Sequence, residues 1–399
     1  MLDRIVVTGY GIISSLGVGV EANKKALLEG RKAIGEVDYL DTCHKELPCG
    51  EVKMDENQLR KLAGVSSEAL VTRNPLLAII ALKEAVKKSG LTEAVPTAFI
   101  SGTTVGGMEK SERYYREFFE GKHTEFIKAH DCGYGTDYAS RVFGRFNFVT
   151  TISTACSSAA NSIVLGAELI RSGRVKAAIV GGSESISKFH LNGFNSLLIL
   201  EHQPCRPFDR DNAGLNLGEG AAYIVLERED EAKERGAEIL CELKGYANQC
   251  DAYHQTATSP ESVGECMAMK RALDDAGLSP SDISYINVHG TGTRDNDLHE
   301  SIALKKIFGN QIPPFSSTKS YTGHTTSAAG GLEAVFSILA LQYGFIPGNI
   351  EFENPIEETG LCPEKKCRKA DLMHVMSNSF GFGGNDTTCI FSKYDDRQN

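Results

Sequence analysis

The sequence lacks the features that mark several common protein classes. No apolar run is long enough to span a membrane, and no basic segment with a long apolar one behind it opens the chain. No Cys-x-x-Cys pair occurs among the 11 cysteines, and neither Cys43/His44/Cys49 nor Cys362/Cys367 has zinc-finger spacing. We therefore expect a reduced, cytoplasmic chain with no metal site.

Excess basic charge is also missing. The formal net charge is −10, whereas nucleic-acid binding needs a basic surface, so we expect neither nucleic acid nor a membrane as partner. A dinucleotide-binding loop is disfavoured, because Ser14 stands where the third glycine after Gly9-Tyr10-Gly11 would be required. With 399 residues and 41% apolar content, the chain can bury one or two large cores.

Strand-like and helix-like segments alternate along the whole chain. Strands are predicted at residues 5–11, 97–101, 148–152, 176–182, 218–227, 238–246, 283–288 and 387–392, and helices at 21–28, 75–89, 163–170, 264–276 and 330–339. This alternation predicts an α/β fold with helices on both sheet faces. The pattern restarts near residue 236, so we predict two pseudo-duplicated halves, 1–237 and 238–399.

Cys156 lies in a segment of small residues, 154–161, between a predicted strand and a predicted helix. A cysteine at a helix N-terminus meets unpaired N–H groups and the positive end of the helix dipole, which lower the thiol pKa from about 8.5. The pattern therefore suggests a nucleophile. A buried cysteine that packs as a small apolar residue explains the same segment equally well.

Three other segments place reactive residue types at the ends of predicted elements. His289 ends the strand 283–288, Lys319 and His324 share a loop ahead of a helix, and residues 377–385 form a glycine loop whose N–H groups could polarise an oxygen. Singly, each is explained by a structural histidine, a solvated lysine or a tight turn. Together with Cys156 they favour one catalytic site.

These motifs resemble those of the β-ketoacyl-acyl-carrier-protein synthases, most closely the synthase I/II type, over essentially the whole chain. The resemblance implies the thiolase fold, with two fused halves in α-β-α-β-α layers, and a homodimer. The segments that carry it are Thr154-Ala155-Cys156-Ser157-Ser158, Arg206-Pro207-Phe208-Asp209, His289-Gly290-Thr291-Gly292-Thr293, Lys319-Ser320-Tyr321-Thr322-Gly323-His324 and Asn378-Ser379-Phe380-Gly381-Phe382-Gly383-Gly384.

The resemblance also implies residue roles. Cys156 would be the nucleophile, and His289 with His324 the decarboxylation pair. Lys319 and Glu333 would be supporting charges, and the backbone N–H of Phe382 would join that of Cys156 in an oxyanion hole. Substrate contacts are implied for Thr291 and Thr293 along the pantetheine arm, for Val105 at the pocket floor, and for Phe194, Phe380, Gly381 and Gly383.

The implied activity is that of a 3-oxoacyl-[acyl-carrier-protein] synthase in fatty-acid elongation. A thiolate can hold one acyl group as a thioester, and decarboxylation of a malonyl thioester supplies the carbanion as an enolate. Two imidazole N–H groups could stabilise the enolate oxygen. No metal or redox cofactor is required, since acyl carrier protein delivers both thioesters on its phosphopantetheine arm. Arg60, Lys61, Arg73 and Lys128 are candidates for docking that acidic carrier.

Alternative functions stay open at the level of sequence. Arg294 follows His-Gly-Thr-Gly-Thr where fatty-acid synthases often carry proline, and that motif is common in polyketide condensing enzymes. A ketosynthase of a specialised type II polyketide or aryl polyene pathway is therefore the main alternative. A non-catalytic subunit of the chain-length-factor type would lack Cys156. Thiolases and chalcone-type synthases are disfavoured, because Cys389 lies within a β-run and the third catalytic position is His324.

Overall fold

The computed structural model describes residues 4–144, 146–212 and 214–396. The outer limits of the two predicted halves, residues 1 and 399, lie outside the described residues. Within the described part, no helix combines the length and the apolar character needed to cross a membrane.

The described residues contain 13 strands, of which 11 form one mixed sheet and two pair separately. The strands are β1 (Ile5–Ser14), β2 (Gly17–Val18), β3 (Thr97–Gly102), β4 (Phe148–Ile152), β5 (Ala177–Glu184), β6 (Gly220–Arg228), β7 (Cys241–Cys250), β8 (Tyr285–Asn287), β9 (Phe315–Ser316), β10 (Phe345–Ile346), β11 (Arg368–Lys369), β12 (His374–Gly381) and β13 (Asn385–Ser392).

Twelve α-helices and three 3₁₀ turns connect these strands in the described ranges. The helices are α1 (Val20–Glu29), α2 (Glu56–Ala63), α3 (Arg73–Ser89), α4 (Met108–Phe118), α5 (Cys132–Phe143), α6 (Ser158–Arg171), α7 (Lys188–Ser196), α8 (Glu229–Glu234), α9 (Val263–Ala276), α10 (Arg294–Phe308), α11 (Lys319–Thr322) and α12 (Ala329–Tyr343). The 3₁₀ turns are Thr124–His130, Pro280–Asp282 and Thr326–Ala328.

Strand order shows that the fold is duplicated. The sheet runs β4-β3-β5-β6-β1 in the first half and β7-β13-β12-β8-β9 in the second, and the halves join where β1 pairs with β7. We number the five strands of each half along the chain, leaving out β2, β10 and β11, and read each half from its outer edge to the junction. Both halves then have the order 3-2-4-5-1. In both halves the first three strands of this order are parallel, and the fourth is antiparallel to both of its neighbours. The predicted pseudo-duplication is thus confirmed.

Helices cover both faces of each half-sheet, as predicted. Helix α3 packs on β1 and β6, while α9 packs on β7 and β13. Between the half-sheets, α6 packs on β3 and β5, and α12 contacts both α6 and β12. Every residue of α12 from Ala329 to Leu341 is buried, as expected for a helix that is apolar on all sides and central to the fold. These contacts form the α-β-α-β-α layers.

The Gly9-Tyr10-Gly11 segment lies within β1, which continues to Ser14 instead of ending at residue 11 as predicted. Both glycines face α3: an added Cβ would lie 2.5 Å from the carbonyl oxygen of Ala85 at Gly9, and 2.1 Å from that of Ala81 at Gly11. Their role is therefore close helix–sheet packing. They form no phosphate-binding turn.

Three local predictions need correction. The predicted strand 283–288 forms ladder pairs only over Tyr285–Asn287, and Lys319 begins the one-turn helix α11 instead of lying in a loop. Most of the predicted glycine loop belongs to β12, because residues 377–381 pair with β13, leaving Phe382–Gly384 as the turn. The polar side chains of Ser377, Asn378 and Ser379 hid this strand from the apolar pattern.

Candidate active site

Cys156 lies in a tight turn between β4 and α6. The hydroxyl of Ser158, the first residue of α6, accepts the N–H of Thr154 at 2.9 Å and donates to the carbonyl of Ala155 at 2.6 Å. Ala155 has φ 50°, a left-handed conformation that is uncommon for a residue with a side chain. The turn fixes the backbone around the sulfur, which is buried with 6% of the residue exposed.

Burial raises the pKa of the Cys156 thiol to about 11, although Lys319 and the backbone N–H groups of Phe382 and Cys156 oppose this effect. The expected lowering by the helix N-terminus is therefore wrong for the resting site. Cys156 precedes the first residue of α6 by two positions, and loss of solvent outweighs the local N–H groups. The resting sulfur is mainly a thiol.

This pKa predicts slow alkylation of Cys156 at neutral pH. Only the thiolate reacts, so its rate with iodoacetamide should rise with pH towards 11 and at pH 8 be roughly 100-fold below that of a free thiol. Mass spectrometry of the tryptic peptides measures this rate, with the exposed Cys362 as an internal control. A plateau near neutral pH would instead indicate a preformed thiolate–imidazolium pair.

His324 is the nearest titratable neighbour of the sulfur. Its Nε2 lies 3.1 Å from Sγ of Cys156 in a buried hydrogen bond. Burial, Lys319 and His190 hold the pKa of His324 well below its ordinary value. The ring is therefore neutral when the site is empty, and it can accept a proton from the thiol when a substrate arrives.

His289 lies beside His324, with the ring centroids 5.3 Å apart and the ring planes at 83°. Burial and the charge of Lys319 lower the pKa of His289 well below its usual range. Nδ1 of His289 lies 3.2 Å from Nζ of Lys319, an ammonium that can only donate, so the neutral ring carries its proton on Nε2. That proton is available for an oxygen in the site.

Lys319 is saturated by buried partners. Its ammonium donates to the carbonyl of His289 at 2.5 Å and forms an ion pair with Glu333. Both side chains are almost fully buried, and burial raises the pKa of Glu333 while the ammonium opposes the shift. Since one lysine contacts both the ring and the backbone of His289, the ion pair fixes the position of that histidine.

Two carboxylates that sequence reasoning missed hold the His289–Thr293 segment. Glu300 accepts the backbone N–H groups of His289 at 2.9 Å and Gly290 at 2.7 Å, and Asp297 accepts that of Gly292 at 3.2 Å. Burial raises the pKa to about 7 for Glu300 and about 6 for Asp297. The sequence feature that could have identified them is the presence of two acidic residues, three positions apart, on the buried face of α10.

The turn between β12 and β13 closes the site over the sulfur. The backbone N–H of Phe382 lies close enough to the Cys156 thiol to lower its pKa. A Cβ on Gly381 would lie 3.2 Å from the backbone nitrogen of Cys156, so the two segments meet backbone to backbone. Gly383 and Gly384 have φ of 83° and 71°, which glycine adopts without strain. Two backbone N–H groups therefore converge at the sulfur.

A cavity of about 310 Å³ opens at the sulfur and both histidines. It brings together Cys156, His289, His324, Thr291, Thr293, Phe194, Phe380, Gly381, Phe382 and Gly383 from the predicted set. One wall is apolar (Phe194, Leu197, Ile199, Leu215), and another is polar (Thr256, Thr258, Thr291, Thr293, Asp295, Asn296). Such a cavity can hold an alkyl chain and an amide-bearing arm at once.

Some predicted residues lie elsewhere. Val105 is buried with its N–H 3.3 Å from a carboxylate oxygen of Glu184, and it does not line this cavity. Two of the proposed carrier-docking residues are mostly covered and already paired: Arg60 is buried against Glu56, and the partly buried Arg73 forms an ion pair with the buried Glu219. Lys61 and Lys128 are exposed and remain candidates.

One sulfur and two ring nitrogens from Cys156, His289 and His324 lie within 4.8 Å of one another, the sole group of metal-type ligands that a search of the described residues found. The 3.1 Å between Sγ and Nε2 of His324 is shorter than the roughly 3.5 Å that tetrahedral zinc bonds would impose. The arrangement fits a hydrogen-bonded catalytic group better than a zinc site.

Comparison with known proteins gives a consistent result. Two family models match, the β-ketoacyl synthase N-terminal domain at residues 2–232 and the C-terminal domain at 240–353. The 3-oxoacyl-[acyl-carrier-protein] synthase 2 of Staphylococcus aureus (strain COL) is 33% identical, covering 98% of this chain and 99% of its own.

Two solved ketosynthase structures resemble this chain at a sequence identity close to that of the Staphylococcus aureus relative. The ishigamide ketosynthase/chain length factor superposes with a TM-score of 0.93 and 32% identity, covering 99% of this chain and 100% of the other. The ketosynthase ApeO in complex with its chain length factor ApeC, from Xenorhabdus doucetiae, gives a TM-score of 0.84 and 31% identity, with 98% of both chains covered.

Proposed function

The chain belongs to the β-ketoacyl synthase family, and we propose that it condenses an acyl group held on Cys156 with a malonyl unit on acyl carrier protein, losing CO₂. The observation that carries this proposal is the convergence of Cys156, His289 and His324 within 4.8 Å at one cavity. The product is a 3-oxoacyl thioester two carbons longer than the starting acyl group.

The first step loads the acyl group onto the enzyme. Sγ of Cys156 attacks the acyl thioester while Nε2 of His324, 3.1 Å away, takes the thiol proton. The N–H groups of Cys156 and Phe382 stabilise the tetrahedral oxyanion. The bond to pantetheine breaks, and the leaving thiolate takes the proton from His324.

The second step makes the carbanion. The malonyl arm lies along the polar wall, where Thr291 and Thr293 offer hydroxyls. The bond from C2 to the carboxylate breaks, CO₂ leaves, and the electron pair becomes an enolate. The N–H on Nε2 of His289 stabilises its oxygen, and His324 adds a second donor once proton exchange with solvent has moved its single proton from Nδ1 to Nε2, because loading leaves that nitrogen unprotonated. Burial together with Lys319 keeps both rings neutral.

The third step forms the product. The carbanion attacks the acyl carbonyl on Cys156, and the oxyanion again lies between the N–H groups of Cys156 and Phe382. The tetrahedral intermediate collapses, the carbon–sulfur bond breaks, and the thiolate takes up a proton from water. Supplying acyl and malonyl carrier-protein thioesters should therefore give one CO₂ per 3-oxoacyl product. Acyl loading without any CO₂ release would contradict the proposal.

A ketosynthase of a specialised polyketide or aryl polyene pathway is a second candidate. The support is that a ketosynthase/chain length factor superposes at TM-score 0.93 and an identity close to that of the fatty-acid relative. The mechanism would be the same and the substrate different. Product lengths from a panel of saturated and unsaturated acyl carrier-protein substrates separate the two pathways.

We also propose a cytoplasmic homodimer. Strand β4 ends the sheet with Phe148 and Val149 about two-fifths exposed. Tyr115 of α4 and Phe119, which directly follows that helix, expose 62% and 79% of their surface. An open edge and exposed aromatic residues favour association. All 11 cysteines are free, in keeping with a reducing compartment. A chain length factor in place of the second copy is the alternative, and purification of the chain alone with light scattering distinguishes them.

A further inference from the structure

One face of α7 follows the apolar wall of the cavity. His190 and Phe194 are four residues apart and so lie on the same helical face, and Leu197 follows in the same stripe. Phe194 and Leu197 line the cavity. His190 lies one turn deeper with 6% of its surface exposed, and its ring meets that of Phe194 edge-on with centroids 6.2 Å apart.

The rings of Phe382, Phe194 and His190 contact one another in that order, beginning beside the sulfur. Phe382, whose N–H lies close to the Cys156 thiol, stacks its ring on Phe194 with centroids 6.0 Å apart and planes at 17°. Phe194 in turn contacts His190. His190 therefore lies behind Phe194 and does not itself line the cavity.

His190 is a polar residue in a buried position on α7. Burial lowers its pKa to about 4, so the ring is neutral, and a hydrogen bond to the backbone of Ser185 opposes that shift. The apolar cluster against which Phe194 packs includes Ile186, Leu191 and Leu215. The ring of His190 contacts that of Phe194, which lines the same cavity as His324.

We propose that the imidazole of His190 sets the upper length of the acyl group that Cys156 can hold. The inference rests on the proposed function, because it concerns the acyl group of the same reaction. Removal of the ring would extend the apolar wall into the cluster behind Phe194. The residue determines specificity through shape and takes no part in the proton transfers.

The test uses the full-length protein and straight-chain acyl pantetheine thioesters of increasing length. Intact mass spectrometry gives the longest acyl group found on Cys156. For His190→Ala we expect this limit to rise by about two methylene groups, the volume that the ring vacates, with short chains loaded as before. For His190→Phe, which keeps a ring of similar size, we expect no increase.

Phe189→Ala is the matched control, since it removes a ring from the same helix where 56% of the residue is exposed. It should keep the parent limit. An unchanged limit in His190→Ala, or the same increase in Phe189→Ala, overturns the inference but leaves the proposed function intact. If His190→Ala fails to load even short chains, His190→Val decides in the same way. A parent protein that loads no acyl group overturns both.

Discussion

Replacing Cys156 with alanine should abolish acyl-enzyme formation and lower the condensation rate by at least about 10³-fold. The sulfur holds the acyl group between the two half-reactions, and no other described cysteine lines the cavity. Intact mass after incubation with an acyl thioester measures loading, and the yield of 3-oxoacyl product measures condensation. The fold should survive, because alanine fits the turn and the residue makes few polar contacts.

Cys389→Ala is the matched control, because Cys389 is also a buried cysteine and lies in β13 away from the cavity. It should load acyl groups at the parent rate. Cys156→Ser keeps a nucleophile of higher pKa and forms an oxygen ester that transfers its acyl group poorly, so it should load slowly and condense more slowly still. Normal condensation by the alanine variant would contradict covalent catalysis at this residue.

Apolar runs predicted eight of the 13 strands in the described ranges and the helix α12. Strands such as β1, β3 and β5 are buried on both faces and therefore appear in the sequence as continuous apolar runs. This pattern failed where buried residues are polar. Asn378 in β12 donates to Glu300 and accepts from Thr388, so its polarity is satisfied by partners far along the chain. Only the folded chain supplies those partners, and the segment therefore resembled a loop.

Motifs pointed to Cys156, His289 and His324, which the structure brings together at one cavity, because each lies beside small residues at the end of a predicted element. The protonation states of these residues could not be predicted from the sequence. The thiol pKa depends on full burial and on the distance to Lys319, neither of which is written in the local sequence. His190 was missed for the same reason: a lone histidine in a helix gives no signal until Phe194 and the cavity are placed beside it.

Replacing either histidine with alanine should lower malonyl decarboxylation by about 10²–10³-fold, the usual loss when one donor to an oxyanion is removed. Acyl loading at Cys156 should fall much less in His289→Ala, because it is Nε2 of His324 that hydrogen-bonds the sulfur, at 3.1 Å. The two variants therefore separate the half-reactions. CO₂ release from a malonyl thioester and intact mass of the acyl-enzyme measure the two steps on the same protein.

His289→Gln tests whether the ring acts as a hydrogen-bond donor. The Gln side chain can place an N–H near the position of Nε2, so it should recover part of the decarboxylation that alanine loses. His202→Ala, at an exposed histidine outside the cavity, should leave both steps unchanged. Decarboxylation at the parent rate in His289→Ala would show that the enolate is stabilised without this ring. The neutral, Lys319-bonded imidazole would then serve only to support the fold around the site.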